Sequence, residues 1–263
     1  MNCRARVTSW ILGLTVSALT LSGEPPAPVL PPPAEQVRIL VFTRTEGFRH
    51  DSIPAGIDAF RELAVANGWF VEATEDPERF TAELLKPFKA VVFLNTTGDV
   101  LDPPHEAAFE AFIRNGGGYL GIHSASDTEY DWPFYKELVG AHFKRHPAVQ
   151  QATVMVEDQE HPATRLLPHR WTRTDEWYDF RALPEAPHRV LARLDPASYT
   201  GSEHTDDHPI VWCREIDAGR ALYTGCGHTK ESFKEPLFRE HLSGSIRWLC
   251  RLADSAPGDG SRE

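Results

Sequence analysis

Four histidines and two carboxylates in this chain stand where hydrophobic patterning has no use for them, and together they could do chemistry. The densest clue is Gly116-Gly117-Gly118-Tyr119-Leu120-Gly121-Ile122-His123-Ser124-Ala125-Ser126-Asp127. It reads as a glycine turn, a short buried strand and a sharp corner of small residues. In α/β proteins such a corner raises one side chain at the carboxyl end of a sheet, where ligands bind. Here that side chain is the imidazole of His123, suited to act as general base, metal ligand or hydrogen-bond donor. A structural histidine plugging the corner is the plain alternative. Asp127 either orients His123, meets a ligand hydroxyl or caps a helix. His50 precedes Asp51-Ser52, which are expected to cap the first helix, and a histidine at a helix N-terminus stays neutral more readily. His228 ends a second run of small residues, Thr224-Gly225-Cys226-Gly227.

Asp175-Glu176-Trp177-Tyr178 joins adjacent carboxylates to adjacent aromatics. Carboxylates accept hydrogen bonds from sugar hydroxyls and flat rings cover the C–H face, although an exposed strand end looks the same. Arg49, Ser124 and His146 are further candidate ligand contacts. His142/His146 and His204/His208 have the spacing of helical zinc pairs. Pro147 and Pro209 follow them and oppose helix at the preceding residue, so a helical zinc site is not expected there. A divalent metal held instead by His50, His123, His146 and His228 stays open, because imidazole suits several transition metals. Cys226, beside His228, is an outside candidate nucleophile or a core thiol.

The elements that must position these groups alternate in type. Val37–Thr43, Trp69–Ala73 and Phe88–Leu94 are apolar, β-branched-rich runs of the kind buried on both faces of a parallel sheet. Helices are expected over Pro54–Asn67, ended by Gly68, and over Pro104–Asn115. The second half carries strands at Ala152–Val156, Val190–Leu194, Ile210–Cys213 and Arg220–Thr224. Asp217-Ala218-Gly219 is a turn between the last two, and a closing helix runs over Glu235–Leu252. Alternating strands and helices imply a doubly wound α/β sheet whose strand ends converge on one crevice.

The ends differ in composition. Arg4 and Arg6 before the apolar run Val7–Leu21 describe a signal peptide over residues 1–23, or else an uncleaved anchor. The run is short for a membrane span, and none is expected after cleavage. Residues 24–36 form a proline-rich linker, 37–252 one domain and 253–263 a disordered tail. The protein is therefore expected in the periplasm or secreted. A net charge of −11 argues against nucleic acid as a partner. Of four cysteines, Cys213, Cys226 and Cys250 remain after cleavage. Cys213 and Cys226 either pair across neighbouring strands or remain buried thiols.

Taken in order, Gly47-Phe48-Arg49-His50-Asp51-Ser52-Ile53, Gly117–His123 with Asp127, Gly140–Pro147, Asp175–Tyr178, Pro209–Trp212 and Gly219–His228 resemble the ThuA-like (trehalose utilisation) family. The resemblance spans about Val37 to Leu252. It implies a flavodoxin-like three-layer sandwich with a mostly parallel sheet, similar to class I glutamine amidotransferases. It also implies work on sugars such as trehalose or oxidised glycosides. In amidotransferases the corner carries a catalytic cysteine; here it carries His123, so cysteine glutaminase chemistry is not expected. The leading expectation is proton transfer or hydrolysis on a small carbohydrate by His123, Glu176, His50, Asp127 and His228, with Trp177 and Tyr178 as flat contacts. A non-catalytic sugar-binding module and a metal-dependent hydrolase are the rivals.

Overall fold

The computed structural model describes Met1 and residues 36–252. The expected signal peptide, nearly all of the linker and the expected tail lie outside the described residues. Ile39, Leu40, Val41 and Phe42 are wholly buried, as expected of a strand covered on both faces. They form β1 (Arg38–Phe42), which pairs in parallel with β2 (Phe70–Thr74) on one side and β3 (Ala90–Leu94) on the other. β4 (Gly118–Ile122) and β11 (Gly219–Thr224) extend the parallel block, with Phe93 opposite Gly121 and Leu120 opposite Leu222. The order reverses direction between β1 and β3, which makes that point the crevice where ligands bind in open α/β sheets.

Helices cover both faces. Successive strand residues face opposite ways. Tyr119 packs on Phe109 and Tyr135, from α3 (Pro103–Arg114) and α4 (Pro133–Val139). A side chain at the next position back, Gly118, would meet Leu249 of α5 (Pro236–Leu249) at 2.8 Å. α1 (Ile53–Asn67) touches α5, and the short α2 (Ala82–Leu85) touches α3. The three-layer α/β sandwich is therefore as the sequence implies.

Beyond β11 the sheet turns antiparallel through β10 (Pro209–Ile216), β9 (Arg189–Leu194), β6 (Gln150–Val156) and the edge strand β7 (Arg170–Asp175). β5 (Phe143–Arg145) and β8 (Asp179–Phe180) make a separate ribbon. The turn at Asp217-Ala218 joins β10 to β11 as expected, with Asp217 at φ 51°. One expectation is corrected and one open alternative is decided. Ser52 flanks α1 but makes no side-chain cap; its hydroxyl accepts from Asn95 Nδ2 at 3.0 Å instead. Cys213 and Cys226 are free and buried, so they do not pair.

Candidate functional site

The loops after β1, β4 and β11 each hand the crevice one histidine: His50, His123 and His228. After β4 the chain turns so sharply that His123 takes φ 48°, a left-handed conformation that favours glycine. Its carbonyl accepts from Tyr223 Oη at 2.8 Å and Ser126 Oγ at 3.2 Å, which holds the corner. A strained residue at a strand end marks a position the surroundings over-determine. His123 is wholly buried, and its Nδ1 lies 3.2 Å from the carbonyl of Gly225. A carbonyl can only accept, so Nδ1 carries a proton.

The other ring nitrogen, Nε2, points into a compact cluster. His123 Nε2 lies 3.2 Å from His228 Nδ1 and 3.4 Å from Glu176 Oε2, while His228 Nδ1 lies 3.1 Å from the same oxygen. The other carboxylate oxygen, Oε1, meets His146 Nδ1 at 2.9 Å. The His50 ring stands edge-on to both His123 and His228, with centroids 4.9 and 5.1 Å away. Its Nδ1 is 3.3 Å from Ser124 Oγ. Tyr178 lies against His123 with ring centroids 4.1 Å apart.

Glu176 reaches this point from the far edge of the sheet, and Asp175 is the reason. The Asp175 carboxylate is wholly buried and accepts from Gly227 N at 2.8 Å, His228 N at 3.0 Å, Ser232 Oγ at 3.1 Å and Glu176 N at 3.0 Å. Arg173 lies 3.2 Å away. One side chain thus ties the loop after β7 to the loop after β11. Its adjacency to Glu176 was the only sequence signal of this role.

Electrostatics follow from burial and crowding. Burial, then the neighbouring charges of His123 and His228, push the His50 pKa down to about 3, so it stays neutral. Burial opposes ionisation of Glu176, but hydrogen bonds and charge from His123 and His228 outweigh it and hold the carboxyl below its ordinary value. Burial likewise disfavours a charged His228, yet the bond to Glu176 prevails and raises its pKa. A negative carboxylate among imidazoles is the result.

The remaining sequence candidates fall in different places. Asp127 is half-buried at the end of the turn that begins at His123; burial raises its pKa, and it accepts from Tyr130 Oη at 2.5 Å. It neither caps a helix nor bonds to His123, whose Nδ1 is taken by Gly225. Arg49 is committed to Glu75 at 2.6 Å, away from the cluster. Trp177 is wholly buried and donates to the carbonyl of Gln150 at 3.0 Å, so it is core and not a flat ligand contact. Cys226 is wholly buried and burial pushes its thiol up to about 11, which removes it as a nucleophile. His142 enters β5, not a helix, consistent with the proline after His146.

Sequence reasoning passed over Phe48. It is 68% exposed at the rim, its ring 4.9 Å from that of His50. Thr97 fixes its loop: Gly47 N donates to Thr97 Oγ1 at 3.2 Å, and that hydroxyl donates to the Phe48 carbonyl at 2.9 Å.

Comparison with known proteins agrees with the fold. A ThuA-like protein from Bacteroides uniformis superposes with a TM-score of 0.70 at 23% identity, over 85% of this chain and 95% of that one. A ThuA-like protein from Parabacteroides merdae gives 0.69 at 18% identity, over 85% and 94%. A β-galactosidase from Bacillus circulans gives 0.56 at 11% identity, over 82% of this chain but 31% of that one. No curated protein matches the chain. The family model described as trehalose utilisation, ThuA, matches residues 38–249. The chain belongs to the ThuA family.

Proposed function

We propose that this protein is an exported enzyme that binds a small carbohydrate, trehalose-like or an oxidised glycoside, and carries out hydrolysis or proton transfer on it. One observation carries the reading: His50, His123, Glu176 and His228, delivered by four separate segments, meet at the carboxyl ends of the strands. Polar groups are expensive to bury unless paired, and a mutually paired cluster with shifted pKa values in a cleft is a mark of functional sites. The family's description supplies the sugar, and the basic, apolar start of the chain supports export.

The surroundings suit a sugar. Phe48 offers an exposed ring for the C–H face, and such rigid aromatic contact contributes without ordering a flexible side chain. Asp127, half-buried and bonded to Tyr130, would accept from a sugar hydroxyl. Glu176, held by His146, and His123 Nε2 would activate a water or a sugar hydroxyl. The test is a panel of trehalose, related disaccharides and their keto derivatives, followed by mass spectrometry. One sugar should be consumed by the wild type and His123→Ala should slow it by ~100-fold or more. Saturable binding with no product on long incubation would leave a binding module instead; an unchanged rate in the variant would remove His123 from the chemistry.

A further inference from the structure

We infer that His50, His123, Glu176 and His228 bind one divalent first-row transition-metal ion at the floor of the cleft. Its place in catalysis rests on the carbohydrate reading above; as a binding site it stands alone. The first ground is distance. Ligand atoms about 2.0–2.1 Å from a tetrahedral ion stand about 3.3 Å from one another. His123 Nε2, His228 Nδ1 and Glu176 Oε2 form a triangle with sides of 3.2, 3.1 and 3.4 Å. One ligand atom from each of the four residues, His50 included, lies within 4.8 Å of the others.

The second ground is the direction of the ring nitrogens. With Nδ1 of His123 turned to the Gly225 carbonyl, its Nε2 faces a carboxylate oxygen 3.4 Å away and His228 Nδ1 at 3.2 Å. Atoms of this kind converging on one buried point need a positive charge there, a proton or a metal ion. A proton on His228 Nδ1 shared between them is the rival explanation. It accounts for two contacts and gives no role to the third imidazole, His50, whose ligand atom lies within 4.8 Å of the others.

The third ground is what stands behind the ligands. Metal-binding imidazoles give their other N–H to a fixed partner, and ligating carboxylates are themselves hydrogen-bonded. His123 has the Gly225 carbonyl, His50 has Ser124 Oγ, and Glu176 has His146 on its second oxygen. The His228 backbone is fixed by Asp175. Three imidazoles and one carboxylate are a donor set for zinc, cobalt or manganese. Such an ion, when bound, lowers the pKa of a water or polarises a sugar oxygen.

The experiment uses full-length protein made without a polyhistidine tag or nickel column, stripped with EDTA and titrated with cobalt(II) and zinc(II) chloride. One equivalent should bind, the cobalt form should show d–d absorption, and the melting temperature should rise with metal. His123→Ala and Glu176→Gln should weaken binding by about 100-fold or more. His228→Ala, at a position 23% exposed, should do the same with the circular dichroism of the metal-free protein unaltered, which guards against misfolding in the buried pair. Absence of saturable cobalt binding by the wild type, or equal binding by all three variants, overturns the site. Sugar consumption undiminished after EDTA has removed the metal overturns the ion's place in catalysis and keeps the carbohydrate reading. Stoichiometric metal with no sugar consumed supports the ion and overturns that reading.

Discussion

Asp175 shows how much of this site depends on a residue that touches no ligand. Its carboxylate collects four hydrogen bonds and lies beside the buried Arg173. Asp175→Asn keeps the shape but loses the charge, and its amide cannot accept every bond on both atoms. Removing one partner of a buried, hydrogen-bonded charge pair costs about 3 kcal/mol or more. We expect that loss in urea unfolding, together with release of the loops that carry Glu176 and His228. A wild-type unfolding midpoint would show that the two loops hold each other by other contacts. In sequence, Asp175 and Glu176 looked like one sugar-binding pair, because adjacency cannot reveal that neighbours on an extended chain turn to opposite tasks. Trp177 misled for a related reason: an aromatic beside charges reads as a surface platform, whereas the chain folds it under β6.

At the scale of the element, the parallel half was legible and the antiparallel half less so. β1, β3 and β4 announce themselves because burial on both faces demands unbroken apolar runs. β7 reads Arg170-Trp171-Thr172-Arg173-Thr174-Asp175, and its alternation follows from lying at the edge with one face covered. Its polar residues hid it, and with it the route by which Glu176 crosses to His123. The corners were legible as small residues, but their geometry was not. Gly227 has φ 114°, and a side chain there would meet Ile122 Cγ2 at 2.8 Å. Its carbonyl accepts from Asn95 Nδ2 at 3.0 Å and its N–H donates to Asp175. Gly227→Ala combines a strained φ with this clash, so it should destabilise the fold by roughly 1–3 kcal/mol and displace His228. Sugar turnover in the variant should fall further than the lost stability explains. Activity within a factor of two of wild type would mean that the corner tolerates a side chain.

Across the whole molecule, buried imidazoles away from the cleft set a limit in acid. His161 packs against Trp248 with ring centroids 4.9 Å apart, and His241 is wholly buried, its Nδ1 bonded to the Ala163 carbonyl at 2.8 Å. Burial pushes both down to about 4; Asp158 works the other way at His161, while Arg189 and His241 add to the lowering there, and Arg173 does so at His241. In the unfolded chain both return to about 6.5 and take up protons first. Folding stability is therefore full above pH 6.5 and falls as pH drops from 6.5 toward 4. At pH 4.5 the loss should be on the order of 2 kcal/mol per histidine. Urea unfolding at pH 7.5, 6.0 and 4.5 reads this directly, because a changed midpoint at constant slope isolates stability. A midpoint that stays level down to pH 4.5 would mean that these rings are already protonated, or reached by water, in the native state. Since the groups lie outside the cleft, the loss should appear equally in the presence and absence of EDTA, which separates acid unfolding of the scaffold from any effect of acid on the cleft itself.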